Sequence, residues 1–71
     1  MQIKSRIAFH REAHAWTQED LAIASGVPQS RISAYESGKI TPSIPTLIKI
    51  ADAVLFEGSD WKWYDLIEVV E

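Results

Sequence analysis

Gly26, Pro28, Gly38, Pro42, Pro45 and Gly58 cut this chain into short pieces, each of helical length. No internal repeat or low-complexity tract joins them. With only 71 residues the pieces must share one core, and a chain this short buries only roughly 60% of the surface its unfolded form exposes. There are no cysteines, so disulfides and thiolate metal sites cannot supplement that core and packing alone must hold the fold. The apolar stretches are a few residues long, and Met1-Gln2-Ile3-Lys4 leads into no apolar signal-peptide core. A single soluble, cytoplasmic domain over residues 1–71 is expected.

The first piece, residues 2–14, has Ile3, Ile7 and a later pair at 10 and 14 at helical spacing. A second helix starts at a capping box. The Thr17 hydroxyl can accept from the Asp20 amide while the Asp20 carboxylate reaches back, and Trp16 and Leu21 occupy the two positions of a hydrophobic staple. Glu19 and Asp20 complement the positive end of the helix dipole. Gly26 can supply the left-handed residue that stops this helix after Ser25. Pro28 suits the first position of a third helix, which runs to about Ser37 and stops at Gly38. Ser43 caps a fourth, with Pro45 tolerated in its first turn and Leu47, Ile48, Ile50, Ala51 and Val54 forming its apolar face. Ser59 or Asp60 is placed to cap a fifth, carrying Trp61, Tyr64, Leu66, Ile67 and Val70; residues 67–71 read equally as a strand. The expected fold is all-α with five helices.

Two short helices joined by a glycine turn, here residues 17–38, form a helix-turn-helix, whose second helix enters the DNA major groove. The third helix has a narrow inner stripe of Val27, Ile32 and Tyr35, and an outer face of Gln29, Ser30, Arg31, Ser33, Ala34 and Ser37. Long Lys and Glu side chains would be expected on a merely solvated helix, although an ordinary bundle helix with a polar face also fits this composition. The net charge of −3 argues at first against a polyanionic partner. Its distribution answers that objection. Residues 1–44 hold five basic and four acidic side chains, net +1, whereas residues 45–71 hold two and six, net −4. Such asymmetry suits a DNA-facing part and a solvent- or partner-facing tail, although in a short chain it also fits plain solvated surface.

Thr17-Gln18-Glu19-Asp20-Leu21-Ala22, Gly26-Val27, Ile32-Ser33, Tyr35-Glu36-Ser37-Gly38-Lys39 and Pro42-Ser43 resemble, in register and without gaps, the pattern S/T-Q-x-E-L-A, G-V, I-S, E-N-G-K and P-S of the Cro/CI-like (XRE) helix-turn-helix regulators. The resemblance covers about residues 3–54. It implies a compact five-helix, lambda-repressor-like DNA-binding domain. In lambdoid repressors the residue matching Gln18 binds a phosphate and braces the first residue of the recognition helix. Gln29 and Ser30 match a base-reading pair, and the chemistry agrees: a glutamine amide pairs with adenine N6 and N7, and a serine hydroxyl donates to guanine N7. Ala34 matches a position that touches a thymine methyl, and Ser33 shares that outer face. Arg31 sits where the family often contacts phosphate, and it is also long enough to reach guanine. Ser37, Lys39 and Thr41 match the loop that holds the other flank of phosphates, contacts that position without reading sequence. Arg11 and Glu36 match a structural pair tying the first helix to the end of the third, with the arginine also near phosphate. The chain departs from the pattern at Pro28 for a common Ser or Thr cap, at Ser37 for asparagine, at His10 for an apolar residue, and in a longer stretch over residues 55–60.

The remaining chemistry is sparse. His10 and His14 have the i, i+4 spacing of metal-binding helices, but Arg11 stands where H-E-x-x-H has its general base and no third ligand is evident. No nucleophile has a base, and no glycine-rich phosphate loop precedes a helix, so neither enzymatic activity nor a metal or other cofactor is expected. In the tail, residues 55–71, two readings stand: Trp61 and Tyr64 close the core with Trp63 half exposed, or Trp61, Trp63, Tyr64 and Ile67 form a dimer or partner interface.

The expected function is that of a phage or prophage Cro- or repressor-like regulator binding a near-palindromic operator in double-stranded DNA as a homodimer, with no separate ligand-sensing or self-cleaving domain. Glu19 could touch RNA polymerase, as in activating members of the family. The alternatives are an antitoxin whose acidic aromatic tail binds a toxin or other protein partner, and a restriction-modification controller.

Overall fold

The computed structural model describes residues 2–55 and 58–70. Chain order is strand β1 (Gln2–Ser5), helices α1 (Ile7–Glu12), α2 (Gln18–Ser25), α3 (Gln29–Ser37) and α4 (Ile44–Val54), a 3-10 turn (Trp63–Leu66) and strand β2 (Ile67–Val70). The described residues are mostly helical, with four α-helices and a two-stranded antiparallel sheet where five helices were expected. Of the expected interface segment 55–71, Phe56, Glu57 and Glu71 lie outside the described residues.

Both departures from five helices have one cause. β1 pairs with β2 in the register Gln2–Val70, Ile3–Val69, Lys4–Glu68 and Ser5–Ile67, and the Arg6 amide donates to Leu66 O at 2.7 Å. The β-branched run at Ile67, Val69 and Val70 favours a strand, but it needs a partner, and that partner lies more than sixty residues away. Pairing takes residues 2–5 out of the first expected helix, so α1 starts at Ile7, whose amide donates to Ser5 Oγ at 3.1 Å. Leu66, fully buried, closes the core in place of a fifth helix. Neither Ser59 nor Asp60 caps the turn; the Asp65 carboxylate receives the Lys62 amide at 2.7 Å.

The α2 start is as expected. Thr17 Oγ1 accepts from the Asp20 amide at 3.1 Å, and the Asp20 carboxylate accepts from the Thr17 amide at 2.8 Å. Gly26 at φ 75° and Gly38 at φ 82° take the left-handed conformation that ends α2 and α3. α1 ends the same way without a glycine. Ala15 sits at φ 58° while its own amide reaches Glu12 O and the Trp16 amide reaches Arg11 O. Pro28 is not the first helical residue but the cap before it, its carbonyl accepting from the Arg31 and Ile32 amides at 3.0 and 3.1 Å. Ser43 Oγ caps α4 through the Thr46 amide.

Ile7, Leu21, Val27, Ile32, Tyr35, Leu47, Ile50, Ala51, Val54 and Leu66 form the core, with Trp16 and Trp63 among the residues packed around it. α4 lies between α2 and the 3-10 turn. Ile48, expected on its apolar face, is 41% exposed. Trp61 and Tyr64 do not close the core either. They are 39% and 55% exposed, and Trp63 packs inward instead.

His10 is the buried departure from the family pattern, 5% exposed, with its ring edge-on to Trp61 at 4.8 Å and to Phe9 at 5.1 Å. Its Nε2 has no hydrogen-bond partner among the described residues. Burial pushes its pKa below the usual 6.5; the nearby Asp65 carboxylate opposes that shift and Arg6 adds to it. The unfolded chain therefore binds this proton at a higher pH than the folded chain does. Stability from a neutral His10 is fully present above pH 6.5 and falls as pH drops from there towards the folded-state pKa, by at most about 1.4 kcal/mol per pH unit. Urea unfolding at pH 7.5, 6.5 and 5.5 should show this slope, and a His10→Phe variant should lose it. Equal slopes in the two proteins would assign the acid sensitivity elsewhere.

Candidate nucleic-acid interface

α2 and α3 pack against each other across the turn at Gly26. The stripe that anchors α3 is Ile32 and Tyr35, with Val27 just before it, all buried. Anchoring that face turns the other one outward, so Gln29, Ser30, Arg31 and Ser33 are exposed and Ala34 is half-buried between them and the core. None of the four exposed side chains is tied by a hydrogen bond or ion pair within the described residues. Each can turn its polar end to an external partner without first breaking an internal contact.

A cluster of hydrogen-bonded polar side chains ties this helix to its neighbours. Arg11 Nε donates to Glu36 Oε2 at 2.9 Å and Arg11 Nη2 donates to Glu36 Oε1 at 3.0 Å, a two-pronged pair with 13% and 9% of the side chains exposed. Arg11 Nη1 also donates to Trp16 O at 2.6 Å. The hydrogen bonds that Arg11 donates to Glu36 hold the guanidinium charged, raising its pKa further. The pair ties α1 to the end of α3, as the family resemblance implies. Gln18 joins it, its amide nitrogen donating to Glu36 Oε1 at 3.2 Å. Gln18 makes no bond to Gln29, the first residue of α3, within the described residues; it reaches the far end of α3 instead. Neither the Gln18–Glu36 bond nor the bond to Trp16 O was legible in the sequence, because both depend on how α1 and α2 are brought to one end of α3.

Past α3, Lys39 and Thr41 are exposed, and Ser37 Oγ donates back to Ala34 O at 3.2 Å. Beside them an open depression runs between the end of α3 and β1. Ile48, Leu55, Trp61 and Trp63 line a shallow groove between α4 and the 3-10 turn; Tyr64 is edge-on to Trp63 at 5.5 Å, and Ile67 is half-buried at the start of β2. His10 and His14 are not brought into one site. His14 Nε2 bonds to Val54 O and its ring stacks on Trp16, while His10 lies between Phe9 and Trp61. Among the described residues no three His, Cys, Asp or Glu side chains are grouped to hold a metal ion, and no helix is long and apolar enough to cross a membrane.

Two packed helices, a left-handed glycine between them and a second helix presenting short polar side chains define a helix-turn-helix unit. The helix-turn-helix family profile matches residues 7–54, and the chain belongs to that family, the Cro/CI-like (XRE) group. It is 43% identical over 49 residues to an uncharacterised HTH-type transcriptional regulator of Methanocaldococcus jannaschii, covering 69% of this chain and 74% of that protein. It is 41% identical over 54 residues to the cryptic phage CTXphi transcriptional repressor RstR of Vibrio cholerae, covering 76% of this chain and 48% of the repressor, so it spans about half of that relative's length. No solved structure gives a significant match.

Proposed function

We propose that this protein is a sequence-specific, non-enzymatic DNA-binding regulator of transcription, acting in the cytoplasm as a homodimer on a near-palindromic operator, with α3 in the major groove. The observation that carries this reading is the outer face of α3, exposed and internally uncommitted over Gln29, Ser30, Arg31 and Ser33, on a helix held in place by Arg11, Glu36 and Gln18. Gln29, Ser30, Ser33 and Ala34 read bases. Gln18, Arg31, Ser37, Lys39 and Thr41 meet the sugar-phosphate backbone, with Arg11 close behind them. Occupancy of the operator, rather than chemistry, blocks polymerase, and the named phage repressor among the relatives supports repression and a phage or prophage origin. The exposed Trp61 and Tyr64, with Trp63 and Ile67 beside them, favour self-association through the tail. Two copies would set their α3 helices one DNA turn apart.

Selection of binding sites from random duplex DNA tests this directly, since it returns sequence preference, half-site spacing and affinity together. On the selected site Gln29→Ala should cost about 1–3 kcal/mol and relax the preference at one base per half-site, while Lys39→Ala should weaken all sequences alike. Sedimentation of the purified protein should show a dimer. Failure to enrich any sequence, with a monomer that becomes stable only when a partner protein is added, would replace this reading with that of an antitoxin-like module.

A further inference from the structure

Among the five cations before residue 45, Arg6 is paired with Glu68 at 3.3 Å and Arg11 with Glu36, while Lys4, Arg31 and Lys39 have no ion pair among the described residues. Two of these three lie on or just after α3. The third, Lys4, is far from it in sequence but not in space, because β1 packs against α3 and Lys4 lines the depression beside Ser37, Gly38 and Thr41. The strand brings donors with it. Arg6 is hydrogen-bonded to Leu66 across the sheet, so by the alternation of antiparallel pairing Lys4 also faces β2 with its backbone, and the Ile3 and Ser5 amides turn outwards. The Ser5 side chain leaves the strand on the face opposite Lys4 and its Oγ accepts from the Ile7 amide, while the Thr41 hydroxyl makes no bond to the described chain. Glu36 also borders the depression, but its carboxylate is occupied by Arg11 and Gln18.

We infer that Lys4 binds a backbone phosphate of the operator at the outer flank of the half-site, in a site completed by the outward-turned Ile3 and Ser5 amides and the Thr41 hydroxyl. The inference rests on the DNA-binding reading above and adds β1 to the phosphate-contacting surface. The small sheet contributes to this site directly, since Glu68 stands opposite Lys4 in the register yet pairs with Arg6, which leaves the lysine available.

The test measures binding of the full chain to its selected operator, and to an unrelated duplex, at salt concentrations from 50 to 200 mM, for wild type, Lys4→Ala, Lys4→Arg and Lys49→Ala. Lys49 is exposed on α4, away from the depression, and controls for loss of a positive charge alone. Lys4→Ala should flatten the slope of log K against log salt by about 0.9 per bound protomer on both duplexes, which narrows the affinity loss across this range by roughly three- to fourfold per protomer. Lys4→Arg should keep the wild-type slope, Lys49→Ala should match wild type, and the selected sequence should be unchanged in all variants. A wild-type slope for Lys4→Ala, an equal flattening for Lys49→Ala, loss of the slope in Lys4→Arg, or a changed base preference would each overturn the inference while leaving operator binding intact. If wild type bound neither duplex, the DNA-binding reading itself would fail and the Lys4 site with it.

Discussion

Glu36→Ala is expected to lower the unfolding free energy by about 2–3 kcal/mol, somewhat less than breaking a fully buried ion pair costs because both side chains are only partly buried. The carboxylate receives three hydrogen bonds, two from Arg11 and one from Gln18, and is only 9% exposed. Alanine leaves the Arg11 guanidinium 13% exposed with one strong neighbour, Trp16 O, and a distant one, Glu12, at 3.8 Å. Most of the cost comes from that stranded charge rather than from the lost attraction. A domain of this size has on the order of 4–10 kcal/mol to lose, and each kcal/mol lowers Tm by about 4–8 °C, so the variant should melt well below wild type. Replacing both partners, Arg11→Met with Glu36→Leu, should recover much of the loss because no charge is left buried. A single variant that melts with wild type, or a double variant no better than the single, would show that the pair is solvated and structurally idle.

Ile50→Ala should cost about 2–5 kcal/mol. Ile50 is fully buried on α4, the helix packed between α2 and the 3-10 turn, and its truncation leaves a cavity that the surrounding core can fill only in part. Ile48, two residues earlier on the same helix and 41% exposed, supplies the comparison: Ile48→Ala should stay within about 0.5 kcal/mol. Urea titration of both variants measures the contrast. Similar losses at the two positions would mean that α4 is docked by a different face.

The contrast between Ile48 and Ile50 also marks a limit of the sequence. Helical periodicity located the apolar face of α4, but the face is wider in sequence than the strip the neighbours cover, and only their positions decide where it ends. The same limit explains the tail. Trp61, Trp63 and Tyr64 look alike as bulky aromatics, and the sequence does not say which turns inward; the short 3-10 turn selects Trp63. Residues 2–5 show why local pattern misled. Ile3 and Ile7 are four apart and read as one helix face, yet Ile3 lies on a strand opposite Val69, because the competing interaction comes from the other end of the chain. His10, a departure from the family pattern at sequence level, acquires a physical consequence only through its burial beside Trp61.

What the sequence determined by itself is what a few neighbouring residues can settle: the Thr17–Asp20 capping box, the left-handed stops at Gly26 and Gly38, the Ser43 cap, and the polar outer face of the third helix. The caps and stops are interactions between residues within about one turn of chain, so a short stretch of sequence is enough to locate them. The family pattern extended that reach to the Arg11–Glu36 pair. Tertiary structure decided the rest: the sheet in place of a fifth helix, the bond from Gln18 to Glu36, the inward turn of Trp63 and the placement of Lys4 beside the end of α3. Each of these joins residues distant in sequence, and such a contact forms only when the core has closed and brought its two ends together.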